Sequence, residues 1–478
     1  MKRFLVFVSL FLLPSFLFSS TTFQKTFGDT AKDVGYGILQ LPDNQYLIIG
    51  YTYSFGAKGM DGYLIDMDGS GKMLWQENID LGGDEFLRHG VLLPDGDILL
   101  TGYSRADASS PTDLLLLKIN HSGQVLWSKI YGGSGTDLGW DIQASPDGNY
   151  VVSGYTNSYG AGQYDVWILK IDSEGDTLWT ALAGGTGDDE GRGCAVDGKG
   201  NIYVSAKSYS FFAPDMYMIK LHSDGSKAWL KSFSSTGWTE GYDVCIADSN
   251  AVFAGYGYWG NHDMLLVDMN SSGDTLFTCH AGLSNDDYAF AISPTSDKGF
   301  VMVGRSTSFG GGNKGMILKV DAQGKEQWQN AWGGDQEDML WDVLETDDKG
   351  YLAVGFTKSF GQGDADVYVV KTDSAGNVTG IAPSKQYVAS GFMLEQNYPN
   401  PFNPTTTISY QINGNKRQYV HLAVYDISGK LIVNLAQGWQ SAGKHHFRFN
   451  GQNLPSGIYV YQLSVGKFSQ SKKMVLLK

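Results

Sequence analysis

The stretch DVWILKIDSEGDTLWTALAGG, from Asp165 to Gly185, recurs in this chain with altered spelling, and related stretches end at Gly133, Phe233 and Gly334. Glycine pairs mark a period of about 50 residues. The pairs are Gly82-Gly83, Gly132-Gly133, Gly184-Gly185 and Gly333-Gly334, with degenerate versions near Thr236-Gly237 and Ala281-Gly282. Solenoids, propellers and arrays of small domains all produce repeats of this length, so the content of one repeat decides among them.

One repeat contains four short β-rich runs separated by turn residues, and no helical period. In the third repeat these runs are Asp141 to Ser145, Tyr150 to Thr156, Val166 to Asp172 and Thr177 to Ala183. Four strands per repeat is the spacing of a β-propeller blade. The chain contains seven such repeats, so the sequence predicts an all-β fold with a seven-bladed propeller over residues 21–380.

The two ends of the repeat array predict how the propeller closes. The last repeat runs to Gly380 without the tryptophan-containing fourth strand, whereas FQKTFG (Phe23 to Gly28) overlays WSKIYG (Trp127 to Gly132). Pairing this first strand with the last blade would hide both sheet edges, which would otherwise promote aggregation.

The recurring aromatic residue and glycine have a structural explanation. An aromatic residue occupies the fourth strand of six repeats because each blade must bury a large apolar side chain against its neighbour; these residues are Trp75, Trp127, Trp179, Trp229, Phe277 and Trp328. The Asp-x-x-Gly between the third and fourth strands fits a tight hairpin, which needs a residue that tolerates positive φ.

Three catalytic or metal-binding interpretations are less favoured. The turn at Asp172 is similar to the Asp-box of sialidases, but its glycine and tryptophan lie too far along, and the repeat arginines (Arg88, Arg105, Arg192, Arg305) are scattered over separate repeats. The turn from Asp66 to Gly71 lacks the downstream glutamate of a calcium loop. The histidines His89, His121, His222 and His262 occur singly, which favours solvated or packed side chains.

Charge and the N-terminus restrict the partners and the cellular address. The chain has 478 residues with 35 Lys+Arg and 50 Asp+Glu, a formal net charge of −15, so nucleic acid is an unfavourable partner. Two basic residues, an apolar run from Phe4 to Phe18 and small residues after it predict a signal peptide over residues 1–20. A membrane anchor is the alternative, but the run is shorter than the roughly 20 residues that span a bilayer. No transmembrane segment is expected in the mature protein. The three cysteines, Cys194, Cys245 and Cys279, favour buried free thiols over a disulfide scaffold.

The longer loops of the repeats should emerge on one face, which we call the loop face, because the strands of a blade alternate in direction. This face combines carboxylates with aromatic rings, a combination that suits glycan hydroxyls, a basic peptide or calcium. The candidate ligand-binding residues are Asp84, Glu85, Asp137, Trp140, Asp188, Asp189, Trp238, Glu240, Asp286, Asp287, Asp338 and Trp341. The alternative is that aspartates at strand starts bond loop amides. This applies most to the aspartates before the third strands, Asp61, Asp113, Asp165, Asp215, Asp263 and Asp366.

The composition changes after Gly380, where residues 381–392 have no repeat signature and are expected to form a linker. The segment 393–478 contains alternating strands with glycine turns, which indicates a small immunoglobulin-like β-sandwich. It opens with the motif Tyr398, Pro399, Asn400, Pro401, Phe402, Asn403 and Pro404 and ends with KKMVLLK, which includes Lys472 and Lys473. In these features it resembles the type A C-terminal sorting domain of the type IX (Por) secretion system. The resemblance implies recognition by that secretion machinery, with export to the cell surface or release from the cell.

The leading functional hypothesis is a non-enzymatic surface or secreted propeller that binds a glycan or protein ligand through its acidic loop face. The alternative is a carbohydrate-active hydrolase or lyase that uses carboxylates on the same face. No cofactor is expected, although calcium is possible. Neither hypothesis names the ligand, because many unrelated cargoes carry the same sorting domain.

Overall fold

The computed structural model describes residues 21–55, 59–210, 214–378, 392–394, 397, 399–412, 417–426, 430–441, 443–465 and 468–478. The chain divides into two compact units, Met1–Lys385 and Gln386–Lys478. The predicted signal peptide, residues 381–391 of the predicted linker and Tyr398 lie outside the described residues. In the described part of the chain, no helix has the length and apolar character needed to cross a bilayer.

The architecture is all-β, as the sequence predicts. The described residues contain no α-helix and one short 3-10 helix, Pro42–Asn44. The first unit contains, within those residues, seven four-stranded antiparallel sheets, which we number 1 to 7 in chain order. Repeated sheets of this kind fit the blades of a β-propeller.

Each sheet has an inner, a second, a third and an outer strand, hydrogen-bonded in that order. The inner strands are Asp33–Leu41, Asp84–Leu92, Asp137–Ala144, Asp189–Val196, Thr239–Ala247, Asp287–Pro294 and Asp338–Glu345. The second strands are Gln45–Thr52, Ile98–Arg105, Tyr150–Thr156, Ile202–Ser208, Asn250–Tyr258, Phe300–Ser306 and Tyr351–Thr357. The third strands are Asp61–Asp68, Asp113–Ile119, Asp165–Ile171, Asp215–Leu221, His262–Met269, Lys314–Val320 and Asp366–Thr372. The outer strands are Met73–Ile79, Val125–Tyr131, Thr177–Ala183, Lys227–Phe233, Thr275–Ala281, Glu326–Trp332 and, for sheet 7, Phe23–Phe27.

The outer strand of sheet 7 comes from the opposite end of the unit. Phe23–Phe27 pairs antiparallel with the third strand of sheet 7, from Phe23 opposite Lys371 to Phe27 opposite Val367. This pairing gives sheet 7 the same number of strands as the other six.

Apolar clusters join consecutive sheets. Each of seven clusters combines the facing side chains of two neighbouring sheets, and one of them joins sheet 7 to sheet 1. In that cluster Val354 and Val367 of sheet 7 pack with Ile48 and Ile65 of sheet 1. The alternation of the strands therefore buries apolar side chains on both faces of every sheet.

The aromatic residue of each outer strand packs on the hairpin glycine of the next sheet. A side chain built on Gly175 would lie 2.7 Å from the ring of Trp127, and Gly175 has a φ of +80°. Gly71 and Phe23 repeat this arrangement between sheets 1 and 7, where a side chain built on Gly71 would lie 2.5 Å from the Phe23 ring. The glycine is needed for its positive φ and for this close approach, and Phe23 takes the place of the tryptophan in sheet 7.

Every inner strand contains a β-bulge at its middle. The pairing with the second strand shifts register there in all seven sheets. A bulge leaves an extra residue unpaired and redirects its side chain. We call the seven side chains at these positions the bulge ring: Tyr36, Arg88, Trp140, Arg192, Tyr242, Phe290 and Trp341.

The second unit contains two sheets that share one apolar core. One sheet comprises Phe392–Leu394, Thr405–Ile412 and Gly443–Asn450, and the other comprises Leu431–Gln440, Gln418–Asp426, Gly457–Val465 and Phe468–Leu476. Tyr410 from the first sheet and Leu422 and Tyr461 from the second are fully buried in this core.

Candidate functional site

Most of the predicted loop-face carboxylates are buried and hydrogen-bonded to nearby loops. Asp137 accepts hydrogen bonds from Gly133 N at 2.8 Å, from Ser158 Oγ at 2.6 Å and from Thr156. The same arrangement, with small differences, holds Asp189, Asp287 and Asp338. In these four sheets the carboxylate connects the start of the inner strand to the preceding loop and to the end of the second strand or the residues just after it. Their role in ligand binding stays a prediction.

The remaining loop-face residues differ in accessibility. Asp84 is buried and ion-paired with Arg105 at 2.8 Å, and Glu240 is buried and paired with Arg192 at 3.0 Å. Asp188 is half-buried. Trp238 is 45% exposed, and the side chain of Asp286 is 43% exposed beside His262. Trp238 and Asp286 are thus the predicted residues that solvent reaches most readily.

Three carboxylates meet between sheets 1 and 2. One oxygen each from Asp61, Asp80 and Glu85 lies within 4.8 Å of the others. Asp61 is 5% exposed, and its carboxylate makes no hydrogen bond or ion pair with the described residues. Burial, together with the charges of Asp80 and Asp84, raises the pKa of Asp61, and burial also raises the pKa of Glu85. A cation would relieve this repulsion, and oxygen ligands suit calcium.

The bulge ring brings two arginines together with five aromatic rings. The Arg88 guanidinium carbon lies 3.5 Å from the centre of the Trp140 ring and 4.7 Å from that of Tyr36. The Arg192 carbon lies 3.8 Å from the Tyr242 ring centre. Two of the four scattered repeat arginines therefore converge, in stacked geometries that favour a cation over an aromatic face.

The residues that follow the bulge ring form a second, charged layer. Its members, in sheet order, are Gly37, His89, Asp141, Gly193, Asp243, Ala291 and Asp342. His89 Nδ1 lies 2.6 Å from Asp141 Oδ1, and its Nε2 lies 3.9 Å from Asp342 Oδ2. His89 is therefore an ion-pairing residue and not the isolated histidine that the sequence indicates, because two other repeats supply its partners.

The three aspartates of the charged layer connect neighbouring sheets. Asp141 accepts a hydrogen bond from Cys194 N at 2.9 Å, Asp243 from Ile292 N at 2.9 Å and Asp342 from Ile38 N at 2.7 Å. Each also accepts the amide of the residue that follows it. The bonds from Cys194, Ile292 and Ile38 connect sheet 3 to sheet 4, sheet 5 to sheet 6 and sheet 7 to sheet 1.

The surroundings of His89, Asp141 and Asp243 shift the pKa values of these side chains in different directions. Burial opposes the charge of His89, but the Asp141 carboxylate outweighs it and raises the pKa of His89 to about 9. Burial likewise opposes the charge of Asp141, but His89 holds the pKa of Asp141 below its ordinary value. Burial, reinforced by the charge of Asp141, raises the pKa of Asp243 to about 7. Two carboxyl groups in one layer thus differ in protonation near neutral pH.

A cavity of about 370 Å³ lies between the inner strands, and residues from all seven sheets line it. Its lining includes Arg88, Trp140 and Trp341 of the bulge ring and the four ionisable residues of the charged layer. The lining then continues toward the ends of the inner strands, as far as Ala144, Val196 and Pro294. The cavity therefore extends from the bulge ring toward the side of the short turns.

Sequence reasoning placed Trp140 and Trp341 at the candidate site but missed Arg88, His89, Asp141, Asp243 and Asp342. The available signal was the residue after the repeated aromatic or arginine, which is glycine or alanine in three repeats and ionisable in the other four. Within a single repeat this residue looks like ordinary strand polarity. When the seven repeats are superimposed, the residues at this position are seen to form one layer.

The predicted sorting residues lie together in the second unit. Phe402 is buried in the core and exchanges backbone hydrogen bonds with the terminal strand, accepting one from Leu477 N at 3.0 Å and donating one to Val475 O at 2.9 Å. Asn400 Oδ1 accepts a hydrogen bond from Val475 N at 2.8 Å. Lys472 and Lys473 lie on that same terminal strand, opposite Tyr461 and Val460. The motif and the C-terminal end therefore form one connected element.

Comparison with known families identifies the second unit. Residues 396–477 match the model of a secretion system C-terminal sorting domain, and residues 178–212 match a β-propeller repeat. The predicted sorting domain is confirmed. This domain indicates export to the cell surface or secretion and implies the type IX secretion machinery as a partner.

Individual relatives share only part of their length or a small fraction of residues with this chain. Regulatory protein FlaEY of Caulobacter vibrioides is 27% identical over 112 residues, which are 21% of this chain and 12% of that protein. PorZ, a surface component of the type IX secretion system of Porphyromonas gingivalis, is 12% identical with a TM-score of 0.40, over 95% of this chain and 60% of PorZ. Sqt1 from Chaetomium thermophilum is 12% identical with a TM-score of 0.43, over 81% of this chain and 97% of Sqt1. At these similarities no relative assigns a ligand.

Proposed function

We propose that the first unit is a closed seven-bladed β-propeller and that the exported protein binds a ligand in its central cavity without transforming it. Closure is supported by the pairing of Phe23–Phe27 with sheet 7, by the packing of Gly71 on Phe23 and by the hydrogen bond from Ile38 to Asp342. Closure would give sheet 7 its fourth strand and leave only short, protected sheet edges, which suits a protein that works outside the cell.

The observation that carries the binding proposal is the composition of the cavity. Aromatic rings of the bulge ring and polar groups of the charged layer line a single concave space of about 370 Å³. Ligand sites of this size combine apolar walls with a few orienting polar groups. The loop face offers less, because most of its predicted carboxylates are already hydrogen-bonded. Of the ligands considered, a glycan fits best, since aromatic faces pack on sugar rings and carboxylates accept bonds from hydroxyls.

A binding screen with a cavity-blocking variant tests this proposal. Ser293 lines the cavity, so Ser293→Trp should abolish binding to any polysaccharide or peptide that the native protein retains. Ser272→Trp, in an exposed hairpin, is the matched control and should bind normally. Equal binding by both variants would move the site away from the cavity, and Trp238 and Asp286 on the loop face would then be the next residues to substitute.

A carbohydrate hydrolase or lyase is the second candidate. The observation that favours it is the opposite displacement of the Asp141 and Asp243 pKa values in one cavity, a pattern that can separate acid and base roles. Release of reducing ends from a bound polysaccharide by the native protein, and its loss in Asp243→Asn, would favour this candidate over binding alone.

A further inference from the structure

Arg88 is a buried cation whose described neighbours include aromatic rings of the bulge ring. The residue is 8% exposed, lines the central cavity and stacks on Trp140. It makes no hydrogen bond or ion pair with any of the residues that the structure describes. A guanidinium carries five N–H donors and stays charged in proteins, so leaving it unpaired in a largely buried position is costly unless something else accepts those bonds.

Arg192 occupies the equivalent position in another sheet, and there the protein supplies the hydrogen-bond acceptors of the guanidinium. Arg192 occupies the equivalent bulge in sheet 4 and pairs with Glu240 at 3.0 Å and Glu190 at 3.2 Å. It also donates a hydrogen bond to Gly241 O at 3.3 Å, and it does not line the cavity. The two arginines thus occupy equivalent bulge positions. The chain supplies carboxylates that pair with Arg192, but none that pairs with Arg88 among the described residues.

The inner strands around Arg88 explain the missing partner. Two positions before the bulge, sheets 4 and 5 carry Glu190 and Glu240, whereas sheets 1, 2 and 7 carry Val34, Phe86 and Met339. Those three residues belong to a buried apolar cluster. The side of Arg88 that faces the loops is therefore apolar, and the cavity is where an anion could reach it.

The carboxylates of the charged layer do not act as the anionic partner of Arg88. Both oxygens of Asp141, Asp243 and Asp342 accept main-chain amides, and Asp141 also pairs with His89. The amides and His89 thus hold these three carboxylates in place, and none of the three forms an ion pair with Arg88. Among the cations that line the cavity, Arg88 is therefore the one that no described carboxylate pairs with.

We propose that Arg88 anchors the carboxylate of a uronic acid residue in the ligand glycan, with the sugar ring against the aromatic side chains of the bulge ring. This inference rests on the proposed binding of a glycan in the cavity and names its chemical class. The planar guanidinium matches a carboxylate through two parallel hydrogen bonds. The lone pairs of Asp243 and Asp342 that the amides leave free can accept bonds from ring hydroxyls.

Matched acid and neutral sugars test the anchor in the full-length secreted protein. Glucuronate and galacturonate differ from glucose and galactose by a carboxylate in place of a hydroxymethyl group, so calorimetric titration isolates the contribution of the anion. We expect each acid to bind at least about tenfold more tightly than its neutral partner, since hydrogen bonds between charged groups have this strength. Acetate and sulfate should bind far more weakly than either acid.

Substitutions then assign the preference to Arg88. Arg88→Met keeps the aliphatic stem on Trp140 and should reduce the preference for the acid to less than about threefold, and Arg88→Lys should retain part of it because the charge remains. Arg305→Met, outside the cavity lining, is the control and should leave the preference unchanged. If Arg88→Met does not fold, the native acid and neutral titrations together with Arg88→Lys decide the question.

Two results would overturn the anchor. Equal affinity for acid and neutral sugars would remove the uronate assignment while leaving glycan binding in the cavity intact. Acetate or sulfate binding as tightly as the uronates would show an unspecific anion site. Failure of all four sugars to bind also rejects the uronate assignment, whereas glycan binding itself is decided by the polysaccharide screen with Ser293→Trp.

Discussion

At the scale of single residues, the charged layer makes the stability of the protein depend on pH. The ion pair between His89 and Asp141 raises the pKa of His89 to about 9, above the value of about 6.5 expected in an unfolded chain. A histidine whose pKa is higher in the folded than in the unfolded state stabilises the folded protein. The full stabilisation is present at pH values below the unfolded pKa, and it is lost as the pH rises through the folded pKa.

We therefore expect His89→Gln to destabilise the protein by about 2 kcal/mol at pH 6, the value for a hydrogen bond between charged groups, and by much less at pH 10. Urea unfolding at several pH values measures the difference, with the exposed His121→Gln as control. A loss that stays constant across this range would show that His89 contributes through packing alone.

The first glycine of the repeated pair has a steric role at Gly132, Gly184 and Gly333, where an added side chain would meet aspartate carboxylates. A side chain on Gly184 would lie 2.4 Å from Asp165 Oδ1 and 2.8 Å from Asp189 Oδ2. Neither carboxylate can move freely, because Asp165 accepts amides from Ala161 and Gly162 and Asp189 accepts hydrogen bonds from Gly185 and Ser210.

Gly184→Ala should consequently lower the free energy of unfolding by about 1 to 3 kcal/mol, the usual cost of overpacking. Gly198→Ala is the matched control, since a side chain there would meet nothing within 4 Å. Similar unfolding midpoints for the two variants in urea would contradict the steric explanation.

At the scale of elements, the strand Phe23–Phe27 should be essential to the first unit. Deleting residues 21–28 removes the partner of the third strand of sheet 7 and exposes an edge, so we expect aggregation or a lower melting temperature. The single change Phe23→Ala should cost about 3 kcal/mol by emptying a buried aromatic site. Thr26→Ala on the same strand serves as control. A deletion variant that elutes as a monomer with a native melting temperature would refute the closure of the propeller by this strand.

The carboxylate group between sheets 1 and 2 gives a second prediction at this scale. If Asp61, Asp80 and Glu85 hold calcium, adding Ca²⁺ should raise the melting temperature by mass action, and Asp80→Asn should reduce that increase. Asp172→Asn in a hairpin turn should leave the calcium response unchanged. A melting temperature that does not respond to Ca²⁺ would leave these residues with a purely structural role.

At the scale of the whole molecule, the sorting domain and the seven sheets belong to separate compact units. Removing residues 393–478 takes away the sorting domain but none of the residues of the seven sheets. We expect the truncated protein to remain folded and to stay in the periplasm, as fractionation and protease accessibility of intact cells would show, while the full-length chain reaches the surface. Surface delivery of the truncated chain would mean that a signal outside this domain directs export.

The sequence by itself determined the features that recur at short range. Strand alternation, hairpin glycines and the repeat period identify the four-stranded sheets. Each of these features depends on residues close together in the sequence and recurs in the seven repeats. The sorting domain could also be predicted from the sequence, since the motif from Pro399 to Pro404 and the terminal strand occur in a fixed order. The pairing of Phe23–Phe27 with sheet 7 could be inferred because a missing strand and a spare strand must complement each other.

Only the tertiary structure decided which side chains meet at the centre. Arg88, His89, Asp141 and Asp342 come from three different sheets, separated by up to 254 positions in the numbering, and no local pattern relates them. The bulges in the inner strands redirect these side chains toward one cavity, and a bulge depends on pairing with the neighbouring strand. Conversely, packing buried Asp137, Asp189 and Asp338, which look like surface acids in the sequence, because loop amides need acceptors at those positions.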